Sequence, residues 1–130
     1  MIQNKSQFKQ KIKENKDNVI IKRIYNYENN NKIPVGSVAT VEHIQSNAFT
    51  LKWNCLEKAT WCYYDSIELK DNKIYYYHYI PEGRELPLGV ELIPVDRNDK
   101  INKEYGTYSN YLYTHKFVIM VNEIIEKECV

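Results

Sequence analysis

Apolar and polar residues alternate most cleanly between Pro34 and Lys70. Phe49, Leu51, Trp53 and Cys55 are separated by Thr50, Lys52 and Asn54, a period of two that predicts a strand with the first set on its buried face. Val38–Ile44 predicts a strand before it, and the short polar gap Gln45–Asn47 joins the two as a hairpin. Asn54–Lys58 reads as a turn and Thr60–Tyr64 as a further strand. Successive short strands at this spacing predict a curled antiparallel sheet or a small barrel.

Outside this stretch the pattern changes. Lys5–Asn15 carries good helix formers with Phe8 and Ile12 four apart on one face, so it predicts a short helix, with Ser6 as its cap. Val19–Tyr27 is β-branched and aromatic and predicts a strand, followed by a loop over Glu28–Lys32. Asp71 and Asn72 form a turn before Ile74–Ile80, a strand by propensity. Prolines and glycines punctuate Pro81–Val95 and permit at most short strands at Glu85–Leu88 and Val90–Ile93, and Asp96–Asn110 is polar enough for a long loop. Phe117–Val121 suits a central strand, yet Phe117, Val121, Ile124 and Ile125 share a helical face. The expectation is a strand to about Val121 with a terminal helical turn after it.

Composition bounds the class. A chain of 130 residues with 43% hydrophobic and 27% charged side chains is one domain's worth of globular protein, and no internal repeat or linker divides it. Its 18 basic and 17 acidic residues nearly cancel, which gives bulk attraction to phosphates no support. No apolar run reaches membrane-span length, and Met1–Asn18 lacks the apolar region of a secretory signal. Cys55, Cys62 and Cys129 leave one thiol over in any disulfide scheme, which fits a reducing compartment and predicts a cytoplasmic location. The excess of Asn, Lys, Ile and Tyr is what AT-rich codons produce, so part of the tyrosine count is background.

The stretch from Ile33 to Lys70 resembles small SH3-like barrel modules of bacteriophages and mobile elements. The residues that carry it are Gly36 before the valine-rich strand (Val38, Val41), the alternating strand ending Leu51-Lys52-Trp53-Asn54, and the close Tyr63-Tyr64-Asp65 with Ile67 and Leu69. The turn after Trp53 departs from the pattern, with Asn54-Cys55-Leu56 where a glycine is usual. The resemblance implies a binding scaffold with an SH3-like core over about 19–80. The expected fold is mainly β: an antiparallel SH3-like barrel core, a short N-terminal helix and an elaborated C-terminal half, or else α+β with a C-terminal helix.

Catalytic signatures are missing. Gly36, Gly83, Gly89 and Gly106 are scattered and none opens a phosphate loop, and there is no nucleophile elbow or zincin pattern. Cys55 or Cys62 with His43, His78 or His115 carries little specificity. The spacing of Cys55 and Cys62, even with His78 as a third ligand, is not that of a zinc knuckle. Asp65 with Glu68, and Glu82 with Glu85, read as solvated surface charge. The expectation is no enzyme, no metal and no cofactor.

The aromatic crowd is the feature that suggests a function. Strand alternation places Tyr75, Tyr77 and Tyr79 on one face and Tyr76 with His78 on the other, and a small sheet cannot bury both. Trp61, Tyr64, Tyr75, Tyr77 and Tyr79 are therefore the candidate protein-contact surface, with the Asp96–Asn110 loop beside them. This reading is a non-catalytic protein-binding module, an accessory or inhibitory factor of a phage or mobile element, its partner undetermined. A second reading uses the same rings to stack nucleobases, with Lys9, Lys13, Lys16, Lys22 and Arg23 on phosphates. A third is a small-ligand or nucleotide pocket in the barrel. The rival reading is that the N-terminal helix partly covers the tyrosines and their hydroxyls lie in water.

Overall fold

Strands form where β-branched and aromatic residues run together, and the chain is mainly β. The computed structural model describes residues 2–3, 5–14, 19–27, 32–103 and 112–126. In chain order the elements are β1 (Ile2–Gln3), α1 (Lys5–Glu14), β2 (Val19–Asn26), β3 (Val38–Ile44), β4 (Ala48–Trp53) and β5 (Thr60–Tyr63). A 3-10 turn (Tyr64–Ser66) leads to β6 (Ile67–Lys70), β7 (Lys73–Pro81), β8 (Ile93–Pro94) and β9 (Tyr113–Glu126). The helix starts one residue before Ser6, so Ser6 lies within its first turn and is not its cap.

Residues of Met1–Tyr76 and Ile119–Val130 make one compact unit, and Tyr77–Val118 a second; β7 and β9 pass through both. The strand order is β1-β6-β7-β9-β2-β3-β4-β5, with β8 on β9. The sheet is open: its two ends, β1 and β5, do not pair, so the barrel closure expected of the sequence is not made. β5 and β6 are nevertheless joined by three residues. A linker that short reaches only about 10 Å, which forces the sheet to curl so that strands far apart in its order come near each other. β9, expected as a strand only to about Val121, inserts between β7 and β2, a placement the sequence pattern did not show.

The tail is strand throughout. β9 pairs with β2 from Val19↔Glu126 to Asn26↔Met120, so the helical turn expected after Val121, and with it the α+β alternative, is replaced by a ladder. Both readings fitted the local pattern; the partner strand decides between them. The β6–β7 hairpin turns on Asp71 and Asn72, whose φ values of 51° and 63° are the left-handed pair a two-residue hairpin of the I′ type needs. Asp and Asn tolerate that region better than other non-glycine residues.

In the first unit the core is built by alternation: Val19 and Ile21 from β2, Ala39 and Val41 from β3, and Phe49, Leu51 and Trp53 from β4. Ile12 of α1 is wholly buried among them. Trp53 Nε1 donates to Thr60 Oγ1 at 2.9 Å, which satisfies its buried indole. Cys55 was expected on this buried face, but β4 ends at Trp53 and the chain turns, leaving Cys55 exposed with its thiol 3.2 Å from the Lys32 carbonyl oxygen.

In the second unit, the region expected as one long loop contains a helical turn over 100–103; the rest of that loop, 104–110, lies outside the described residues. Asp99 caps the turn, its Oδ1 accepting from Ile101 N at 3.1 Å. Only β8 forms in the proline-rich stretch, and neither expected strand does.

Candidate functional site

β5 is the strand in which exposed rings and exposed backbone coincide. Among the described residues it pairs with β4 alone, in the register Ala48↔Tyr63, Phe49↔Cys62, Thr50↔Trp61 and Leu51↔Thr60. Alternation sends Cys62 into the core and leaves Trp61 and Tyr63 on the opposite face, 51% and 53% exposed. Their cross-strand partners Thr50 and Ala48 are both buried, so the face beneath the rings is covered and dry.

Hydrogen-bond phase adds a second property. Tyr64 N donates to Asn47 O at 3.1 Å, which places Cys62 and Thr60, two and four residues back, in the same bonded phase with β4. In an antiparallel ladder the residues between them turn their N–H and C=O groups the other way. On β4 the phase agrees: Asn54 N donates to Val38 O at 2.9 Å, so the even-numbered residues of β4 bond to β3 and the odd-numbered to β5. Trp61 and Tyr63 therefore present rings on one face of the sheet and backbone donors and acceptors at its edge.

The expected contact residues differ in exposure. Trp61 is exposed as expected. Tyr64 is a core residue, 4% exposed, its ring 5.5 Å from that of Phe49, because it continues the inward phase of Cys62, two residues back. Tyr75 is half-buried. In the second unit Tyr77 is buried and Tyr79 half-buried, with ring centroids 6.5 Å apart. Lys116 Nζ lies 4.3 Å from the Tyr77 ring centroid, a cation–π contact, and Tyr79 meets Tyr113 edge-on at 5.7 Å. On the other side of this strand His78 packs on Phe117 at 5.5 Å and lines an open groove of about 810 Å³ with Arg84, Leu86, Leu88 and Tyr113. Tyr63 was not among the expected residues; its place two residues after Trp61 in a Thr-Trp-Cys-Tyr strand was the signal for it.

Of the basic residues expected on phosphates, Arg23 is not at the surface. Arg23 is 1% exposed, on the inward phase of β2 with Val19 and Ile21, and its Nη2 donates to Asn26 Oδ1 at 2.8 Å. Lys22 is exposed but stands opposite Glu123 in the β2–β9 register. Lys9 Nζ donates to Ser46 O at 3.3 Å, Lys13 is exposed, and Lys16 lies outside the described residues. No helix among the described residues is long and apolar enough to cross a membrane.

Behind β5, Cys62 Sγ and Tyr76 Oη share a buried hydrogen bond at 3.2 Å. Burial pushes the Cys62 thiol from 9.0 up to about 12, partly offset by that bond, and burial likewise raises Tyr76 well above the ordinary tyrosine range. With Cys129→Ser, the exposed Cys55 is expected to react with a disulfide reagent at pH 8 far faster than Cys62, whose burial both blocks access and disfavours its thiolate. Thiol counting in native and unfolded protein checks this; fast labelling of both thiols in native protein refutes it. Because the folded value is raised, the stability it reflects is complete below about pH 9 and is lost as pH rises through about 12.

No protein-family model, curated protein or solved structure matches this chain.

Proposed function

We propose that this chain is a non-catalytic protein-binding module and that it binds through β5. The observation that carries this is the coincidence at Trp61 and Tyr63 of half-exposed aromatic rings with outward-facing backbone groups. Rings of this kind supply large contact area at small entropic cost. Free edge groups let an extended segment add to the sheet, main-chain bonds giving affinity and the rings specificity. The resemblance of the stretch from Ile33 to Lys70 to SH3-like modules of bacteriophages and mobile elements supports the same reading, as does the curl of the sheet without closure. A cytoplasmic accessory or inhibitory factor is the role this reading assigns.

The test is capture by the tagged chain from lysate of the source cells, with nuclease and high-salt arms. A stoichiometric protein is expected to survive both treatments. Trp61→Ala and Tyr63→Ala each weaken its retention by about thirtyfold, the scale of an interface hot spot. Tyr25→Ala, at another tyrosine 46% exposed, leaves it unchanged. Retention indifferent to both β5 substitutions overturns the assignment, and loss on nuclease treatment moves it to nucleic acid.

A further inference from the structure

The outer edge of β5 is complementary to itself. We infer that this edge pairs with the β5 edge of a second copy of the chain, antiparallel, about a two-fold axis at Cys62. The inference rests on the reading of β5 as a binding edge and names its partner.

The register follows from the phase derived above. Only Trp61 and Tyr63 turn backbone groups outward, so only pairings that bond both of them use the whole edge. Centring the axis on Cys62 sets Trp61 opposite Tyr63 of the other copy, and Tyr63 opposite its Trp61. Both become bonded pairs, each exchanging N–H and C=O. The side chains fall on the same face, so every exposed ring on the strand gains an aromatic cross-strand neighbour, a favourable pairing in antiparallel sheets. Moving the axis by one residue in either direction leaves one of the two outward residues without its match.

The strand itself, Thr60-Trp61-Cys62-Tyr63, holds no lysine, proline or other charge, the devices by which sheet edges are normally kept from pairing. The contact is small, so the dimer is weak, half-formed at roughly 10–100 µM.

Sedimentation velocity of the untagged full chain across that range tests it. The expected result is a monomer–dimer equilibrium that Tyr63→Pro weakens by at least about tenfold. Tyr63 has φ −86°, close to what proline requires, and its N–H faces the open edge, so this substitution removes a donor without opposing the fold. Tyr63→Lys, which keeps the N–H and adds a charge to the edge, gives the same loss if pairing is at the edge. Circular dichroism and thermal melts confirm that each variant is folded. A chain monomeric throughout the range, or a dimer indifferent to both Tyr63 substitutions, overturns self-pairing. In either case, capture of another protein that still depends on Trp61 and Tyr63 leaves the binding-edge reading standing, and loss of that dependence as well fells both.

Discussion

Phe49→Ala is expected to destabilise the fold by about 3–5 kcal/mol, the range for truncating a fully buried phenylalanine. Phe49 has no exposed surface, sits opposite Cys62 on β5 and packs its ring against that of Tyr64. It is also opposite Ile44 on β3, just past the register shift in that ladder, so strands on both sides close over it. Those neighbours are held by backbone ladders, and they cannot collapse into the space the ring leaves. The lost transfer energy and the cavity therefore add. Phe49→Leu, which retains most of the volume, costs about 1–2 kcal/mol. Urea unfolding followed by tryptophan fluorescence measures both, since Trp53 lies on the next inward position but one of the same strand. A loss below about 1 kcal/mol for the alanine variant means that the strands around position 49 are not packed as described.

The alternation Phe49-Leu51-Trp53 was legible because a strand sends every second side chain to one face, here the large apolar ones to the core, although Ala48 and Thr50 on the other face are buried too. The Asp71-Asn72 turn was legible for a similarly local reason: its backbone geometry admits few residue types. What the sequence concealed depends on partners remote in the chain. Past Val121 the chain fits a helical turn or a strand, and the ladder that pairs Asn122–Glu126 with Val19–Arg23 of β2 makes it a strand. β1 has no pattern of its own, being two residues held by Leu69 and Lys70. The tyrosine row misled in a different way. Tyr76 and Tyr77, adjacent and on opposite faces, are both buried, so simple alternation cannot assign one of those faces to solvent. Arg23 is the instructive failure. Taken with Lys22 it looks like a basic patch, but its phase with Val19 and Ile21 already placed it inside. Charge was weighed before period, and at that position period governs. The same priority applied to Thr-Trp-Cys-Tyr would have selected Trp61 and Tyr63 together.

Asn102→Ala is the counterpart in the second unit, with an expected loss of about 2–4 kcal/mol, because it removes three part-buried hydrogen bonds to the backbone at once. Asn102 is 5% exposed. Its Nδ2 donates to the carbonyl oxygens of Asp96 and Tyr113, both at 2.9 Å, and its Oδ1 accepts from Tyr113 N at 2.7 Å. One side chain thus imitates a strand partner for Tyr113 and fastens the segment that carries the 100–103 turn to the start of β9. Alanine removes all three bonds. Asn102→Asp separates the contributions: it keeps an acceptor for Tyr113 N but has no donor for either carbonyl and places a carboxylate in a buried site, so it is expected to be no better tolerated than alanine. Asn102→Gln retains the chemistry with one methylene too many and tests geometry alone. Amide hydrogen exchange localises the effect. Protection should fall at Tyr113, Ile101 and Lys103 while Cys62 and Leu51, in the ladder of the first unit, keep theirs. Uniform loss of protection in both places would show instead that the two units unfold as one.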